Sequence, residues 1–326
     1  MTYKVLVTAR SFMRYPGPHI DVLREADCEL RESPYDRPLT AAEMVELVKD
    51  VDAIIAGVDE INAEVLAAAP RLKVVSRHGV GYDSVDVEAA TKAGVVVTIT
   101  PGANHVTVAE LAIGFMIALA RHLPKMIEVA RSGGWQVVRG IDLAGKTVGI
   151  VGLGRIGKAL ATRVRALEMD VLAYDVVQDT EFARQHGITY VSLEELLRRS
   201  DFVCLHAAAT PGAPPLIGEA QLRLMKPSAY LINVARGSLI DEQALYRALT
   251  EGWLAGAALD VFAKEPPGDN PLLKLENVIP TPHIGGATRE AQSRMALMAA
   301  QNALQVLRGE RCPYAVNPEV YAVKSP

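Results

Sequence analysis

The chain holds 326 residues, enough for two domains with cores of their own; half are apolar and only 5% aromatic. A net charge of −4 offers no basic surface to nucleic acid or to an anionic membrane. The longest apolar stretch, residues 106–120, is too short to span a bilayer and carries Glu110, while Cys28, Cys204 and Cys312 lie far apart with no metal spacing.

The N-terminus runs directly into a strand at 4–8 without a signal-peptide pattern, so a reducing cytoplasm is the expected setting. Further apolar runs at 53–57, 72–76 and 95–100, and a weaker one near 28–31, read as strands. Helical patterns fall at 18–26, 41–49, 62–69 and 86–92, with Pro70 and Gly94 closing two of them. Such alternation predicts a parallel sheet with helices on both faces. Thr100-Pro101-Gly102-Ala103-Asn104 marks a boundary. The helix predicted at 107–121 is apolar on more than one face, which calls for burial either in an interdomain core or against a second subunit. Trp135 heads a loop running to Lys146; it reads as packed beneath that loop or as a cap on a cleft.

A strand at 148–151 then meets Gly152-x-Gly154-x-x-Gly157, a helix, a second apolar run at 170–174, and Asp175 at its tip. Each piece suits a βαβ dinucleotide site. Gly152 permits the tight turn, Gly154 lets backbone approach a pyrophosphate, and Gly157 lets the helix pack close to the sheet. Free N–H groups at the helix start favour phosphate. Asp175 is placed to accept hydrogen bonds from the adenosine ribose. A carboxylate there repels a 2′-phosphate, and Val176 and Val177 follow instead of an Arg, so NAD is expected over NADP.

Alternation then resumes, with strands at 202–206, 230–234, 256–262 and 278–280 and helices at 193–199, 219–224 and 241–250. The last helix, 288–307, is long enough to return to the first domain. The layout is two doubly wound α/β domains, the second inserted in the first: residues 1–101 with 288–326, and residues 102–287. The active site is expected in the cleft between them, at strand carboxyl ends.

Three polar groups stand where late strands give way to Gly/Pro loops: Arg236, Glu265 and His283. The Arg fork suits a carboxylate. His exchanges a proton near neutral pH, and a neighbouring carboxylate stabilises its imidazolium and fixes its tautomer. Together they describe a carbonyl/alcohol oxidoreductase: the nicotinamide moves hydride, His283 handles the hydroxyl proton, Glu265 supports His283, and Arg236 holds the substrate.

The chain resembles the NAD-dependent D-2-hydroxyacid dehydrogenase family along nearly its whole length. GLGRIG at 152–157, LINVARGSLIDEQAL at 231–245, ALDVFAKEP at 258–266 and TPHIGG at 281–286 carry the resemblance. It implies a flavodoxin-like substrate domain and an inserted Rossmann domain. It also implies that Arg236, Glu265 and His283 are the catalytic set. Cofactor contacts are implied for Gly152, Gly154, Arg155, Ile156, Gly157, Asp175, Val234, Ala235, Arg236, Asp260, His283, Ile284, Gly285 and Gly286, with Asp260 meeting the nicotinamide amide. Glu265 separates the chain from the formate dehydrogenases, which carry Gln there.

Within the family, residues 76–86 resemble the substrate loop of D-3-phosphoglycerate dehydrogenases, which makes 3-phosphoglycerate the leading substrate. Gly79, Val80 and Gly81 would offer N–H groups to a carboxylate, and Arg77 meets a distal phosphate or is a surface or intersubunit charge. The Arg usual after the third strand is replaced by Gly57-Val58-Asp59-Glu60; Arg10 and Arg14, in the loop after the first strand, compensate or are solvated. A C-terminal regulatory domain and its serine feedback are not expected, since the chain ends at Pro326. Alternatives are hydroxypyruvate, glyoxylate or another 2-oxo acid, an NAD-sensing co-repressor and, remotely, a phosphite-oxidising enzyme. His78, His105 and His206 read as structural. The expected partners are a small 2-hydroxy or 2-oxo acid and a second copy of the chain, with neither nucleic acid, membrane nor metal.

Overall fold

A computed structural model describes residues 2–210 and 212–323. The chain begins β1 (Tyr3–Val7), α1 (Arg10–Arg14), α2 (Pro18–Glu25), β2 (Cys28–Glu32), α3 (Ala41–Leu47), β3 (Ala53–Ala56), α4 (Ala63–Ala67), β4 (Val74–Arg77), α5 (Val87–Lys92) and β5 (Val96–Thr98). Local chemistry sets several boundaries. Thr40 and Glu43 form a capping box at α3, while Asn62 and Asp86 accept N–H groups at the starts of α4 and α5. β3 and β4 are buried at every position, as expected of parallel strands covered on both faces.

The chain continues with α6 (His105–Ala120), α7 (Leu123–Arg131), β6 (Thr147–Val151), α8 (Arg155–Ala166), β7 (Asp170–Tyr174), α9 (Thr180–His186), β8 (Ile188–Tyr190), α10 (Leu193–Arg199), β9 (Phe202–Leu205), α11 (Glu219–Leu222), β10 (Tyr230–Asn233), α12 (Glu242–Thr250), β11 (Gly256–Leu259) and β12 (Val278–Pro280). It closes with α13 (Arg289–Leu307) and α14 (Val320–Val323).

Two compact units result: Met1–Asn104 with Gly286–Pro326, and His105–Gly285. In the first, the sheet order is β2-β1-β3-β4-β5, all parallel. One face packs on α2 and the alanine stripe of α13 (Ala296, Ala299, Ala300, Ala303), the other on Met44, Val65 and Ala90 of α3, α4 and α5. α13 is tied to this sheet by the Ser76 hydroxyl donating to Ala299 O at 2.8 Å and the Asn302 amide donating to Ile99 O at 3.0 Å. Buried Asn317 covers the edge of β5, accepting from Val97 N and donating to Val95 O.

The second unit has the parallel order β12-β11-β10-β9-β6-β7-β8. The chain starts in the middle at β6, builds outward to β8, then returns to β9 on the other side, so the switch point lies between β6 and β9. α6 and α8 cover one face and α10, α11 and α12 the other. No single helix among the described residues is long and apolar enough to cross a membrane.

Several features depart from the sequence reading. Arg10 and Arg14 lie on a short helix, not a loop, because Phe12 between them is buried under the sheet. Trp135 is not packed beneath its loop: it is 92% exposed. No residue of α7 is buried, its Ile127 is exposed, and so are Val137 and Val138 after it. α9 and β8 extend the second sheet past the βαβ unit, in a polar stretch without clear periodicity.

Candidate active site and dinucleotide loop

The glycine loop sits at the switch point, and its three glycines meet different constraints. Gly152 has φ +96°, and a Cβ there would come within 2.5 Å of Ala207 N, at the end of β9. A Cβ on Gly157 would lie 2.2 Å from Gly152 O, so α8 rests directly on the turn. A Cβ on Gly154 would meet nothing within 4 Å; it would occupy open space in front of α8. Gly154 caps α8 without a side-chain acceptor, leaving the first-turn N–H groups turned outward for an anion.

Asp175 ties the tip of β7 to this loop. Its carboxylate accepts Leu153 N–H at 2.7 Å and Val177 N–H at 3.1 Å. A carboxylate has about four acceptor sites, so capacity for a ribose diol remains. Val176 and Val177 are 87% and 78% exposed, and Lys158 is paired with Asp179. The donors, the open cradle and the acid together fit a dinucleotide without a 2′-phosphate.

At the other side of the same sheet, β10, β11 and β12 are neighbours and end together. Beyond β10, buried Asn233 folds the chain over. Its Nδ2 donates to Arg236 O at 2.8 Å, and its Oδ1 accepts Ala235 N–H at 3.1 Å. The Arg236 guanidinium donates to Ala235 O at 2.7 Å. Gly237 permits the closest approach in the site, since a Cβ there would lie 1.9 Å from Phe262 C. Beyond β11, Glu265 folds back so that Oε1 accepts Phe262 N–H at 3.1 Å. Its Oε2 lies 2.7 Å from His283 Nδ1. That contact leaves Nε2 as the nitrogen to exchange a proton.

His283 is held in the left-handed region at φ +55°, a conformation costing on the order of 1 kcal/mol for a residue with a Cβ. Buried Asp260 surrounds its turn with acceptors, taking Thr281 Oγ1 at 2.6 Å, Ile284 N–H at 2.7 Å and Gly285 N–H at 2.8 Å.

The electrostatics follow from this arrangement. Donation of a hydrogen bond from His283 Nδ1 to Glu265 raises the His283 pKa above the ordinary 6.5; burial and the Arg236 charge oppose it, and the charges of Glu265 and Asp260 add to it. For Glu265, burial pushes upward but is overcome by the His283 hydrogen bond and charge, Phe262 N–H and Arg236, so its pKa lies below the usual range. Burial raises Asp260 against its three donors.

In the first unit, Arg77 is only 4% exposed. Its Nε donates to Gly81 O at 2.8 Å and its Nη1 to Ala56 O at 2.9 Å, so the guanidinium shapes the 78–81 turn from within. What that turn presents is backbone: Gly79 at φ +158° and exposed Val80. Asp59 is buried, accepting from the Thr8 hydroxyl, Gly57 N–H and Leu39 N–H. Arg14 pairs with Asp36 at 3.0 Å, and Arg10 donates to Asp36 O at 3.4 Å.

Sequence reasoning passed over two residues here. Asn104 Oδ1 and Gln292 Oε1 are buried without a hydrogen-bond partner, as are Thr100 Oγ1 and His78 Nε2. They come from the ends of β4 and β5 and the first turn of α13, and Gln292 Nε2 donates to Gly286 O at 3.2 Å. Burial holds His78 neutral, with a pKa of about 4. Buried polar atoms without partners mark a place for a ligand or bound water. No sequence signal marks them, because their burial comes from segments nearly two hundred residues apart. In the second unit both ring nitrogens of His206 are likewise buried and unpartnered, and its pKa falls to about 4.

Comparison with known proteins adds an independent line. Residues 113–285 match the family model described as D-isomer specific 2-hydroxyacid dehydrogenase, NAD binding domain. The chain is 46% identical to a glyoxylate reductase of Korarchaeum cryptofilum, over 89% of this chain and 90% of that one. It is 43% identical to a D-3-phosphoglycerate dehydrogenase of Methanocaldococcus jannaschii, over 92% of this chain but 58% of that one. A Thermus thermophilus crystal structure superposes with a TM-score of 0.86 at 39% identity, covering 96% of this chain and 99% of the other.

Proposed function

This chain belongs to the D-isomer specific 2-hydroxyacid dehydrogenase family, and we propose that it reduces a small, phosphate-free 2-oxo acid of the glyoxylate or hydroxypyruvate kind. It is an NAD-dependent oxidoreductase acting on the CH–OH group of its donor. When bound, the nicotinamide supplies the hydride acceptor or donor. Gly152, Gly154, Arg155, Ile156 and Gly157 hold the pyrophosphate, Asp175 the ribose, and Val234, Ala235, Gly285 and Gly286 line the same strand ends. His283 Nε2 gives its proton to the carbonyl oxygen in reduction and takes it back in oxidation. Glu265 stabilises the imidazolium and keeps Nδ1 engaged, which leaves Nε2 for the substrate. Arg236 binds the substrate carboxylate and polarises the carbonyl. In the first unit, N–H groups of Gly79, Val80 and Gly81 take a carboxylate.

The observation that carries the phosphate-free reading is the engagement of the charged groups after β1, β3 and β4. Asp59 occupies the loop after β3 as a buried acid, while Arg10, Arg14 and Arg77 are already committed to protein acceptors. A phosphate dianion would have to share these guanidinium groups with the acceptors they already serve. The second reading is 3-phosphoglycerate, favoured by the 43% identity to the Methanocaldococcus enzyme. The exposed apolar surface of α7, Trp135 and Val137 supports a homodimer, and the cytoplasm is the setting we assign.

The test is a panel of 2-oxo acids with NADH: glyoxylate, hydroxypyruvate, 3-phosphohydroxypyruvate and pyruvate. We expect kcat/KM for glyoxylate or hydroxypyruvate to exceed that for the phosphorylated acid by about tenfold or more. The reverse order refutes the phosphate-free reading.

A further inference from the structure

We propose that the cavity at the carboxyl ends of β1 and β2 is a second small-molecule site, and that it takes a free α-amino acid as the zwitterion. Arg10 receives the carboxylate, Glu32 the ammonium group, and Met13, Pro34 and the Tyr35 ring an apolar side chain.

The cavity measures about 380 Å³, near the small end of the range for ligand sites, roughly 300–1,000 Å³. Thr8 and Ala9 wall it on the β1 side and residues 32–36 on the β2 side. It lies outside the carboxyl ends of parallel strands, where open α/β sheets bind ligands. Local folding brings the cations there. Phe12 is fully buried and fixes α1 on the sheet, while Arg10 and Arg14, four residues apart on one face of the helix, both reach the cavity. Arg14 Nη2 donates to both carboxylate oxygens of Asp36 at 3.0 Å, and Arg10 Nη1 donates to Asp36 O at 3.4 Å. Within the loop, Tyr35 N–H donates to Ser33 Oγ at 3.2 Å, and the Arg37 guanidinium lies 4.9 Å from the centre of the Tyr35 ring. These contacts tie the 33–36 loop to α1, so the walls are set before a ligand arrives, which lowers the ordering cost of binding.

The groups left uncommitted decide the ligand. Arg14 and Asp36 satisfy each other. Arg10 makes one long hydrogen bond to the protein, and most of its N–H fork is unused. Glu32, the last residue of β2, makes no hydrogen bond or ion pair among the described residues. Arg10 and Glu32 line the same cavity, yet no ion pair joins them. Opposite charges held apart across a cavity match a ligand that carries both signs. A phosphate monoester fits less well, because Glu32 and Asp36 would repel it, and a simple amine would meet Arg10.

The site stands apart from the turn at 79–81. In the sheet order β2-β1-β3-β4-β5, β1 is two strands from β4, which leads into that turn. At about 4.8 Å between neighbouring strands the separation is about 10 Å, beyond the reach of a two- or three-carbon acid held at the turn. The inference therefore does not rest on which 2-oxo acid is reduced.

The full-length chain is titrated in a calorimeter with glycine, L-alanine, L-leucine and L-phenylalanine, and with two half-ligands, acetate and propylammonium. We expect at least one of the apolar amino acids to bind one-to-one, about tenfold or more tighter than either half-ligand. Arg10→Gln and Glu32→Gln should each weaken that binding about tenfold, since each removes one charged partner. Saturating NAD with glyoxylate should not displace the amino acid.

If no amino acid binds with a Kd below about 10 mM, the proposal is overturned. Acetate binding as tightly as the best amino acid would also overturn it, since the cavity would then be a plain anion site. Undiminished binding in either variant, or displacement by glyoxylate, would put the amino acid elsewhere on the chain and overturn the assignment of Arg10 and Glu32.

Discussion

Replacing Glu265 with Gln removes one charge at nearly constant volume. Two charges about 4 Å apart attract by about 4 kcal/mol at an effective dielectric of about 20 and by about 1 kcal/mol in bulk water. The side chains of His283 and Glu265 are 41% and 34% exposed, so solvent screens the pair towards the lower figure, about 1–2 kcal/mol. That interaction favours the imidazolium over the neutral ring and so raises the His283 pKa. A second penalty is geometric. Glu265 now accepts from both Phe262 N–H and His283 Nδ1, whereas Gln has one acceptor oxygen and must abandon one of them.

The sign follows from the chemistry. Reduction consumes a proton from His283, so it needs the imidazolium, which the raised pKa preserves above the ordinary 6.5. In Glu265→Gln, the upper limb of kcat/KM for 2-oxo acid reduction should move to lower pH, with about a tenfold loss on the alkaline side. In oxidation, which needs neutral imidazole, the rising limb should move the same way. The assay is NADH absorbance across a pH series in both directions. Limbs that coincide with wild type would refute the assignment of Glu265 as the support of His283. Linkage gives a stability counterpart. The raised His283 pKa stabilises the fold below the ordinary imidazole pKa and is lost as pH rises through the folded value. The lowered Glu265 pKa acts above the ordinary carboxylate pKa and is lost as pH falls through its folded value. The melting-temperature difference should therefore be largest between the two ordinary values.

Arg236→Lys should reduce kcat/KM about a hundredfold, affecting kcat and KM together, because one fork both binds the carboxylate and polarises the carbonyl; steady-state kinetics checks it. Gly157→Ala should destabilise by about 1–3 kcal/mol, since its Cβ would lie 2.2 Å from Gly152 O. Gly154→Ala should leave the melting temperature nearly unchanged yet weaken NAD binding, because its Cβ enters open space where phosphate is expected. Calorimetry paired with NAD titration separates these two. Asp175→Ala with Val176→Arg should raise the preference for NADPH over NADH about a hundredfold, as the ratio of kcat/KM values. Absolute NADH activity should fall as well, because Leu153 N–H and Val177 N–H lose their acceptor.

Much of the candidate site was legible because it is local. The glycine spacing, Asp175 at a strand tip, and Arg236, Glu265 and His283 just beyond apolar runs are short-range patterns of chain geometry. Membership of the D-2-hydroxyacid dehydrogenases follows from such motifs and agrees with the family model and with relatives above 40% identity. Alternation of strands and helices likewise carried two parallel-sheet domains. α9 and β8 were not legible, since a short polar helix and an edge strand bury too little to impose a period.

Other features depend on what the fold brings together. Asp59 looked like an acid where a phosphate wants a base; burial makes it a clasp for three loop ends. Arg77 looked like an exposed cation and proves to brace its own turn. Asn104 and Gln292 carried no signal at all. The sequence by itself determined the parallel α/β architecture, the dinucleotide loop and the three residues at late strand ends, because periodicity and turn chemistry act over a few residues. The tertiary structure alone decided which polar groups are already satisfied and which are left wanting a partner. Hydrogen-bond satisfaction depends on distant neighbours, such as Asp260 closing around the turn of His283.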